Sequence, residues 1–133
     1  MIQPKQFRIL LVEDDGGIAQ VIKIAMHEVD LPHVLDHAYT AEEAIELWQQ
    51  GSYDLVLSDY NLRGKNGLDL IAHIKQLGAN VPTVLVTAYD TPGLRRQADQ
   101  VGVSRFVAKP FFVDQFIELV RGMLPAQASQ MGM

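Results

Sequence analysis

The amino-acid sequence predicts an α/β domain, a doubly wound five-stranded parallel sheet with helices on both faces. Five short runs of apolar, often β-branched residues alternate with segments whose apolar residues recur every three or four positions. Strict alternation of this kind is typical of βαβ units and therefore of a parallel sheet. The strand runs are continuously apolar, as expected for strands that are buried on both faces.

Five apolar runs are predicted as the strands. In chain order they lie at 9–12, 34–38, 55–57, 84–86 and 103–108. Four of them run into polar residues that could bind a ligand. These residues are Glu13, Asp14 and Asp15 after the first strand, Asp59 after the third, Thr87 after the fourth and Lys109 after the fifth.

The helices between the strands are predicted from the spacing of their apolar residues. The apolar positions are Ile18, Val21, Ile22, Ala25 and Met26 in the first helix, Leu70, Ile71, Ile74 and Leu77 in the third, and Phe116, Ile117, Val120 and Leu124 in the last. A Gly-rich turn at 63–67 leads into the third helix, which we expect Gly78 to end. The last helix is expected to begin at Asp114, used as its N-cap.

Cap residues mark the ends of the other two helices. Thr40 opens the sequence Thr-Ala-Glu-Glu, a capping box that places the start of the second helix, and Gly51 is expected to end it. In the fourth helix, Thr91 is the predicted N-cap and Pro92 the first helical residue, while Gly102 ends the helix.

Length and composition fit one folded domain and exclude several classes of protein. With 133 residues, 48% hydrophobic and 20% charged, the chain can bury a single core. The absence of cysteine excludes disulfides, zinc-thiolate sites and cysteine nucleophiles. The 11 basic and 16 acidic residues give a formal charge of −5, which argues against direct binding to nucleic acid.

We expect a domain at 1–124 and a flexible tail at 125–133. Neither a targeting signal nor a stretch long enough to span a membrane is visible in the sequence. The expected location is therefore the cytoplasm, with no membrane association.

Ligands of open parallel sheets bind beyond the carboxyl ends of the strands, so the acids, the hydroxyl and the lysine found there are candidate site residues. Clustered carboxylates repel one another, and a hard divalent cation with oxygen ligands would offset that repulsion. Capping of the first helix is an alternative role for the acids at 13–15, but it accounts for neither Asp59 nor Lys109. The acidic loop and the lack of a complete Gly-rich phosphate motif exclude a nucleotide or flavin site.

Four short motifs at these strand ends together resemble the receiver domain of response regulators, the phosphoacceptor module of two-component signalling. They are Val-Glu-Asp-Asp at 12–15, Ser-Asp-Tyr-Asn-Leu at 58–62 with Gly67 further on, Thr87-Ala88, and Lys109-Pro110-Phe111. The resemblance covers roughly residues 7–124. It implies a flavodoxin-like (βα)5 fold with strand order 2-1-3-4-5.

The resemblance implies that Asp59 accepts a phosphoryl group from the phosphohistidine of a sensor histidine kinase or phosphotransfer protein. Carboxylates are able to act as nucleophiles of this kind. Lys109 and the Thr87 hydroxyl would contact the phosphoryl oxygens, and the bond from Lys109 to Pro110 would be cis. The chain would then be no conventional enzyme, although it would assist its own phosphorylation and dephosphorylation.

A metal site is implied by the same resemblance. Mg²⁺ (or Mn²⁺) would be bound by Asp14 and Asp59 directly, by Glu13 through water, and by the backbone carbonyl of Asn61. Asp15 is assigned to the start of the first helix instead.

Phosphorylation of a receiver domain is expected to change the face formed by the fourth helix, fifth strand and fifth helix. Phe106 stands where the family has a switch aromatic, which would rotate inward as Thr87 moves toward the phosphoryl group. This face would bind a downstream protein that the sequence does not identify, with the chain either a monomer or a phosphorylation-dependent dimer. The phenylalanines at 106, 111, 112 and 116 either form part of that docking face or pack the last helix, and Phe112 is expected to be the most exposed.

Tyr89 and Asn61 are predicted to flank the path of a hydrolytic water, where the bulk of Tyr89 would slow loss of the phosphoryl group. Two positions depart from the family pattern. Arg63 stands in place of a common proline, which affects the stiffness of the loop after Asp59. Phe112 stands in place of an acid that often caps the last helix, so Asp114 would take over the cap and shift the helix start by two residues.

Two other functions stay open. A phosphatase of the haloacid-dehalogenase type also uses Asp, Mg²⁺ and Lys, but it needs a D-x-D motif that residues 13–15 do not supply. An adaptor that keeps the fold without accepting phosphate is the other, and the complete set of site residues argues against it. The four histidines lack metal-ligand spacing and are expected at the surface or behind the site.

Overall fold

A computed structural model describes residues 6–77 and 80–124 of the chain. Its five strands form one parallel sheet in the order β2-β1-β3-β4-β5, which confirms the predicted fold and strand order. The strands are β1 (Phe7–Val12), β2 (His33–Ala38), β3 (Leu55–Asp59), β4 (Thr83–Thr87) and β5 (Arg105–Ala108). The helices are α1 (Gly16–Met26), α2 (Ala41–Gln50), α3 (Gly67–Gln76), α4 (Pro92–Val101) and α5 (Val113–Met123), with a 3₁₀ turn at His27–Val29.

Alternate residues of the central strands point to opposite faces of the sheet and build a core on each. Ile9, Leu11, Leu57 and Val86 pack with α1 and α5 on one face. On the other face, α2, α3 and α4 cover residues such as Leu10, Val56 and Leu85. Every residue of β3 and β4 is buried, and each of the two strands ends in a polar residue, Asp59 or Thr87.

Predicted caps begin three of the helices. Asp15 accepts hydrogen bonds from the first amides of α1, as its assignment to that helix start requires. Thr40 caps α2 and Thr91 caps α4, with Pro92 at the first helical position. At the end of α4, Gly102 has φ 93°, a conformation that favours glycine.

Some predicted details are wrong. Asp114 does not begin α5: the helix starts one residue earlier, Phe112 occupies the cap position without a side-chain hydrogen bond, and Asp114 lies in the first turn. The strand β5 begins at Arg105 rather than 103, because Val103 still bonds to the end of α4. Val21 and Leu77 are 49% and 51% exposed, so neither belongs to the core although both fit the helical spacing.

Two predictions fall where the structure gives no description. Gly78 as the end of α3 and the tail at 125–133 both lie outside the described residues. Within those residues, none of the helices has the length and apolar character needed to cross a membrane.

Candidate functional site

Three carboxylates converge at the carboxyl edge of the sheet, as the strand ends predict. β1 and β3 are neighbours, paired as Val12 to Ser58, so the residues that follow them lie side by side. One carboxylate oxygen from each of Glu13, Asp14 and Asp59 lies within 4.8 Å of the other two. Glu13 is 1% exposed and Asp59 7%, whereas Asp14 is half-buried at the mouth of the group.

Lys109 reaches into this cluster from the end of β5. Its Nζ lies 3.1 Å from Asp59 Oδ1 and 3.4 Å from Glu13 Oε1. The backbone amide of Lys109 donates to the carbonyl of Thr87 at 2.8 Å, which fixes the start of its side chain beside β4. The bond from Lys109 to Pro110 is cis, as predicted.

One lysine does not neutralise three acids, and the carboxyl groups respond to that imbalance. Burial and the nearby charge of Asp59 raise the pKa of Glu13 to about 7. Burial also raises the pKa of Asp59, against the lowering effect of Lys109. Excess negative charge on hard oxygen donors is the environment that a divalent cation such as Mg²⁺ requires, so the cluster can bind a metal ion.

The glycine of the second motif lies against the backbone of Asp59. A Cβ on Gly67 would overlap the Asp59 carbonyl oxygen and would lie 2.8 Å from Ser58 Oγ. The Gly67 amide also donates to the carbonyl of Tyr60 at 2.8 Å, which closes the loop after β3 onto the start of α3. Only glycine allows the start of α3 to approach the last residue of β3 this closely.

The other predicted site residues lie around the cluster. Thr87 is 1% exposed at the end of β4, and its hydroxyl oxygen accepts a hydrogen bond from the Tyr89 amide at 2.9 Å. Asn61 and Tyr89 line one cavity between the loops after β3 and β4, with a volume of about 530 Å³. Both residues are exposed.

Phe106 lies apart from the carboxylates. It pairs with Leu85 in the sheet and is half-buried on the face covered by α4. The Arg95 guanidinium lies 4.4 Å from the centre of its ring and also binds the Asp90 carboxylate at 2.6 Å. The contact between Arg95 and the Phe106 ring was not predicted, because residue spacing along the chain does not indicate which arginine faces β5.

The remaining phenylalanines divide between the two predicted roles. Phe111 stacks on Phe116 at a centroid distance of 5.0 Å, and both pack against the α1 and α5 core. Phe112 is 73% exposed, as expected. Packing of α5 therefore accounts for Phe111 and Phe116, and only Phe112 is presented to solvent as a docking residue would be.

One of the histidines, His37 of β2, contacts the backbone of the acidic loop that follows β1. The Nε2 of His37 lies 2.8 Å from the backbone carbonyl oxygen of Glu13. The sequence placed the histidines at the surface or behind the site without distinguishing among them. The strand register, Leu11 opposite His37, is what brings this one to the cluster.

Removal of the Glu13 charge is expected to stabilise the metal-free fold. The pKa of Glu13 is raised from 4.5 to about 7, so the ionised form opposes folding above pH 7 and the effect vanishes below pH 4.5. Glu13→Gln should raise the free energy of unfolding at pH 8 by about 2 kcal/mol and leave it unchanged near pH 4.5. Urea unfolding at the two pH values measures this. An equal gain at both would contradict the charge explanation, and added Mg²⁺ should stabilise the wild type more than the variant.

The family model for the response regulator receiver domain matches residues 9–121 of the chain. Among curated proteins, the chain is 33% identical over 115 residues to the transcriptional regulatory protein YcbL of Bacillus subtilis, covering 86% of this chain and 50% of that protein. It is 31% identical over 113 residues to the response regulator protein PilR of Pseudomonas aeruginosa, covering 85% of this chain and 25% of PilR. The chain thus spans half the length or less of these relatives.

Solved structures agree with the sequence match. The non-phosphorylated HemR receiver domain of Leptospira biflexa is 30% identical with a TM-score of 0.81, covering 91% of this chain and 95% of that one. A signal receiver domain of an HD domain-containing protein from Pseudomonas fluorescens Pf-5 is 28% identical with a TM-score of 0.84, covering 94% and 99%. The fold is also that of a CheY-like receiver from Methanospirillum hungatei, with a TM-score of 0.83 at 22% identity, covering 95% and 99%.

Proposed function

The chain belongs to the response regulator receiver domain family of two-component systems, and from this premise we propose that Asp59 is its phosphoacceptor. The observation that carries the proposal is the position of the Asp59 carboxylate, with Lys109 Nζ at 3.1 Å and the oxygens of Glu13 and Asp14 within 4.8 Å. A carboxylate held between a cation and a potential metal site is suited to attack phosphorus.

In the proposed reaction a carboxylate oxygen of Asp59 attacks the phosphorus of a phosphohistidine. A P–O bond forms, the P–N bond breaks, and the imidazole leaves. Lys109 balances negative charge on the phosphoryl oxygens as it now balances Asp59. The Thr87 oxygen already accepts from the Tyr89 amide, so its own proton is available for a phosphoryl oxygen.

The proposal includes Mg²⁺ or Mn²⁺ held by Asp14 and Asp59, by Glu13 through water, and by the backbone carbonyl of Asn61. When bound, the ion supplies positive charge that offsets the phosphoryl oxygens and orients them. The donor set fits such an ion, because the cluster offers hard carboxylate oxygens with an excess of negative charge.

The proposed output is a change on the face formed by α4, β5 and α5. Movement of the Thr87 hydroxyl toward the phosphoryl group would open space into which the Phe106 ring rotates. That rotation would separate the ring from the Arg95 guanidinium, now 4.4 Å from its centre, and would alter a surface that also presents Phe112. The change would be read by a downstream protein or by a second copy of the chain.

The partner that supplies the phosphoryl group is, under this proposal, a sensor histidine kinase or phosphotransfer protein. The chain acts as a switch rather than as a conventional enzyme, assists its own phosphorylation and dephosphorylation, and does not bind nucleic acid itself. Its state is a monomer or a phosphorylation-dependent dimer, and its cytoplasmic location stays a prediction.

The test is intact mass spectrometry after incubation with a small-molecule phosphodonor and Mg²⁺. The wild type should gain one phosphoryl group and Asp59→Asn none, because an amide oxygen is a much poorer nucleophile. Asp69→Asn, which changes an exposed acid of α3, should gain the group as the wild type does. Donor turnover without an adduct would favour a phosphatase, and a wild type that does not react would favour the adaptor.

Tyr89→Ala is expected to shorten the lifetime of the phosphoryl group several-fold. The Tyr89 side chain is 55% exposed and lines the cavity between the loops after β3 and β4, the route proposed here for a hydrolytic water. Its removal widens the path for a hydrolytic water. Decay of the phosphorylated mass after removal of the donor measures the lifetime, and Ile24→Ala, at an exposed apolar residue of α1, serves as control. An unchanged lifetime would contradict the role of Tyr89.

A further inference from the structure

Residues at the end of β2 form hydrogen bonds with both the backbone amide and the backbone carbonyl of Glu13. The Glu13 amide donates to the carbonyl of Ala38 at 3.0 Å, which continues the ladder between β1 and β2. The Glu13 carbonyl lies beyond that ladder, and its oxygen is 2.8 Å from the Nε2 of His37. The His37 side chain thus adds one hydrogen bond to the pairing of β1 with β2, at the residue where the acidic loop begins.

The chemistry of the two partners fixes the tautomer of the ring. A carbonyl oxygen only accepts, so Nε2 must carry the proton and donate it. The Nδ1 of His37 is buried and has no hydrogen-bond partner among the described residues. The ring contacts that of Tyr39, with 4.1 Å between centroids. Among the described residues, the hydrogen bond of the His37 ring is therefore the one to the Glu13 carbonyl.

That contact orients the peptide group that joins Glu13 to Asp14. The peptide is planar, so a hydrogen bond to its oxygen restricts rotation of the whole unit, including the nitrogen from which Asp14 continues. We propose that His37 is a positioning residue that holds the Glu13–Asp14 peptide so that both carboxylates face Asp59. This inference rests on the proposed function, because the carboxylates it orients are the proposed metal ligands.

The test compares Mg²⁺ affinity in two variants that separate the ring from the donor. His37→Phe keeps a ring against Tyr39 and removes the N–H group, whereas His37→Gln keeps a donor of similar reach and removes the ring. Calorimetric titration with Mg²⁺ should show affinity about tenfold weaker in His37→Phe, and close to wild type in His37→Gln. His33→Phe is the matched control, since His33 lies at the other end of β2 and bonds to the Leu31 carbonyl.

Nitrogen NMR adds one readout on the wild type alone and a second on the two variants. The imidazole nitrogen shifts should assign a protonated Nε2 and an unprotonated Nδ1 to His37, and the Asp14 amide signal should move in His37→Phe and return toward its wild-type position in His37→Gln. The opposite tautomer, or equal Mg²⁺ affinity in wild type and His37→Phe, would overturn the positioning role. Equal weakening in both variants would indicate packing alone and overturn it too. A wild type that binds no Mg²⁺ would instead remove the metal site on which both proposals rest.

Discussion

Lys109→Met is expected to slow phosphorylation of Asp59 by about two orders of magnitude, the usual loss when one charge-stabilising group is removed from a reaction site. Lys109 is the cation that contacts both Asp59 and Glu13, at 3.1 and 3.4 Å. Methionine has a similar length and no charge, so the phosphoryl oxygens lose a partner while the packing of the side chain stem is retained. Without the lysine, the pKa of Asp59 also rises further, which leaves less of the nucleophilic carboxylate.

The rate is measured as the appearance of the phosphorylated mass with a small-molecule donor at fixed Mg²⁺. Lys23→Met is the control, because it removes a lysine from the last turn of α1, away from the strand ends. Repeating the assay at higher pH separates the two effects, since ionisation of Asp59 is restored there and direct charge stabilisation is not. A Lys109→Met rate within a few-fold of wild type would contradict the proposed role.

Gly67→Ala is expected to be the most destabilising single-methyl change near the site, lowering the free energy of unfolding by about 3 kcal/mol. The added carbon would overlap the Asp59 carbonyl oxygen, and backbone cannot move aside as the end of a flexible side chain can. Either α3 or the loop after β3 must shift. Because the shifted group is the backbone of Asp59, Mg²⁺ affinity should fall as well.

Gly122→Ala is the matched control for this change. Gly122 lies in α5, and a Cβ there would meet nothing within 4 Å. Alanine in an exposed helical position should stabilise the fold by about 0.5–1 kcal/mol relative to glycine. Urea unfolding of the two variants should therefore give effects of opposite sign. A Gly67→Ala variant as stable as wild type would show that the loop relaxes without cost.

Local sequence patterns were sufficient to predict the order of strands and helices, because each pattern reflects interactions between residues close together in the chain. The β-branched runs, the caps at Thr40 and Thr91 and the left-handed Gly102 reflect interactions within one helix or one turn. The spacing of residues along the chain did not predict burial or capping correctly where these depend on contacts with other parts of the fold. Val21 fits the apolar pattern of α1 but is exposed, since Ala19, Ile22 and Met26 are the residues that face the sheet. Asp114 lies two residues after the cap position, which Phe112 occupies.

The sequence by itself determined which chemical groups stand at the strand ends: three acids after β1, Asp59 at the end of β3, Thr87 at the end of β4 and Lys109 after β5. The alternation of strands and helices makes the sheet parallel, and a parallel sheet collects those ends at one edge, so their convergence followed from the order of residues alone. Only the tertiary structure decided what each group contacts. The hydrogen bond from His37 to the Glu13 carbonyl depends on strand register, and the contact of the Arg95 guanidinium with the Phe106 ring depends on the rotation of α4. Packing between residues far apart in the chain fixes both, to about an ångström.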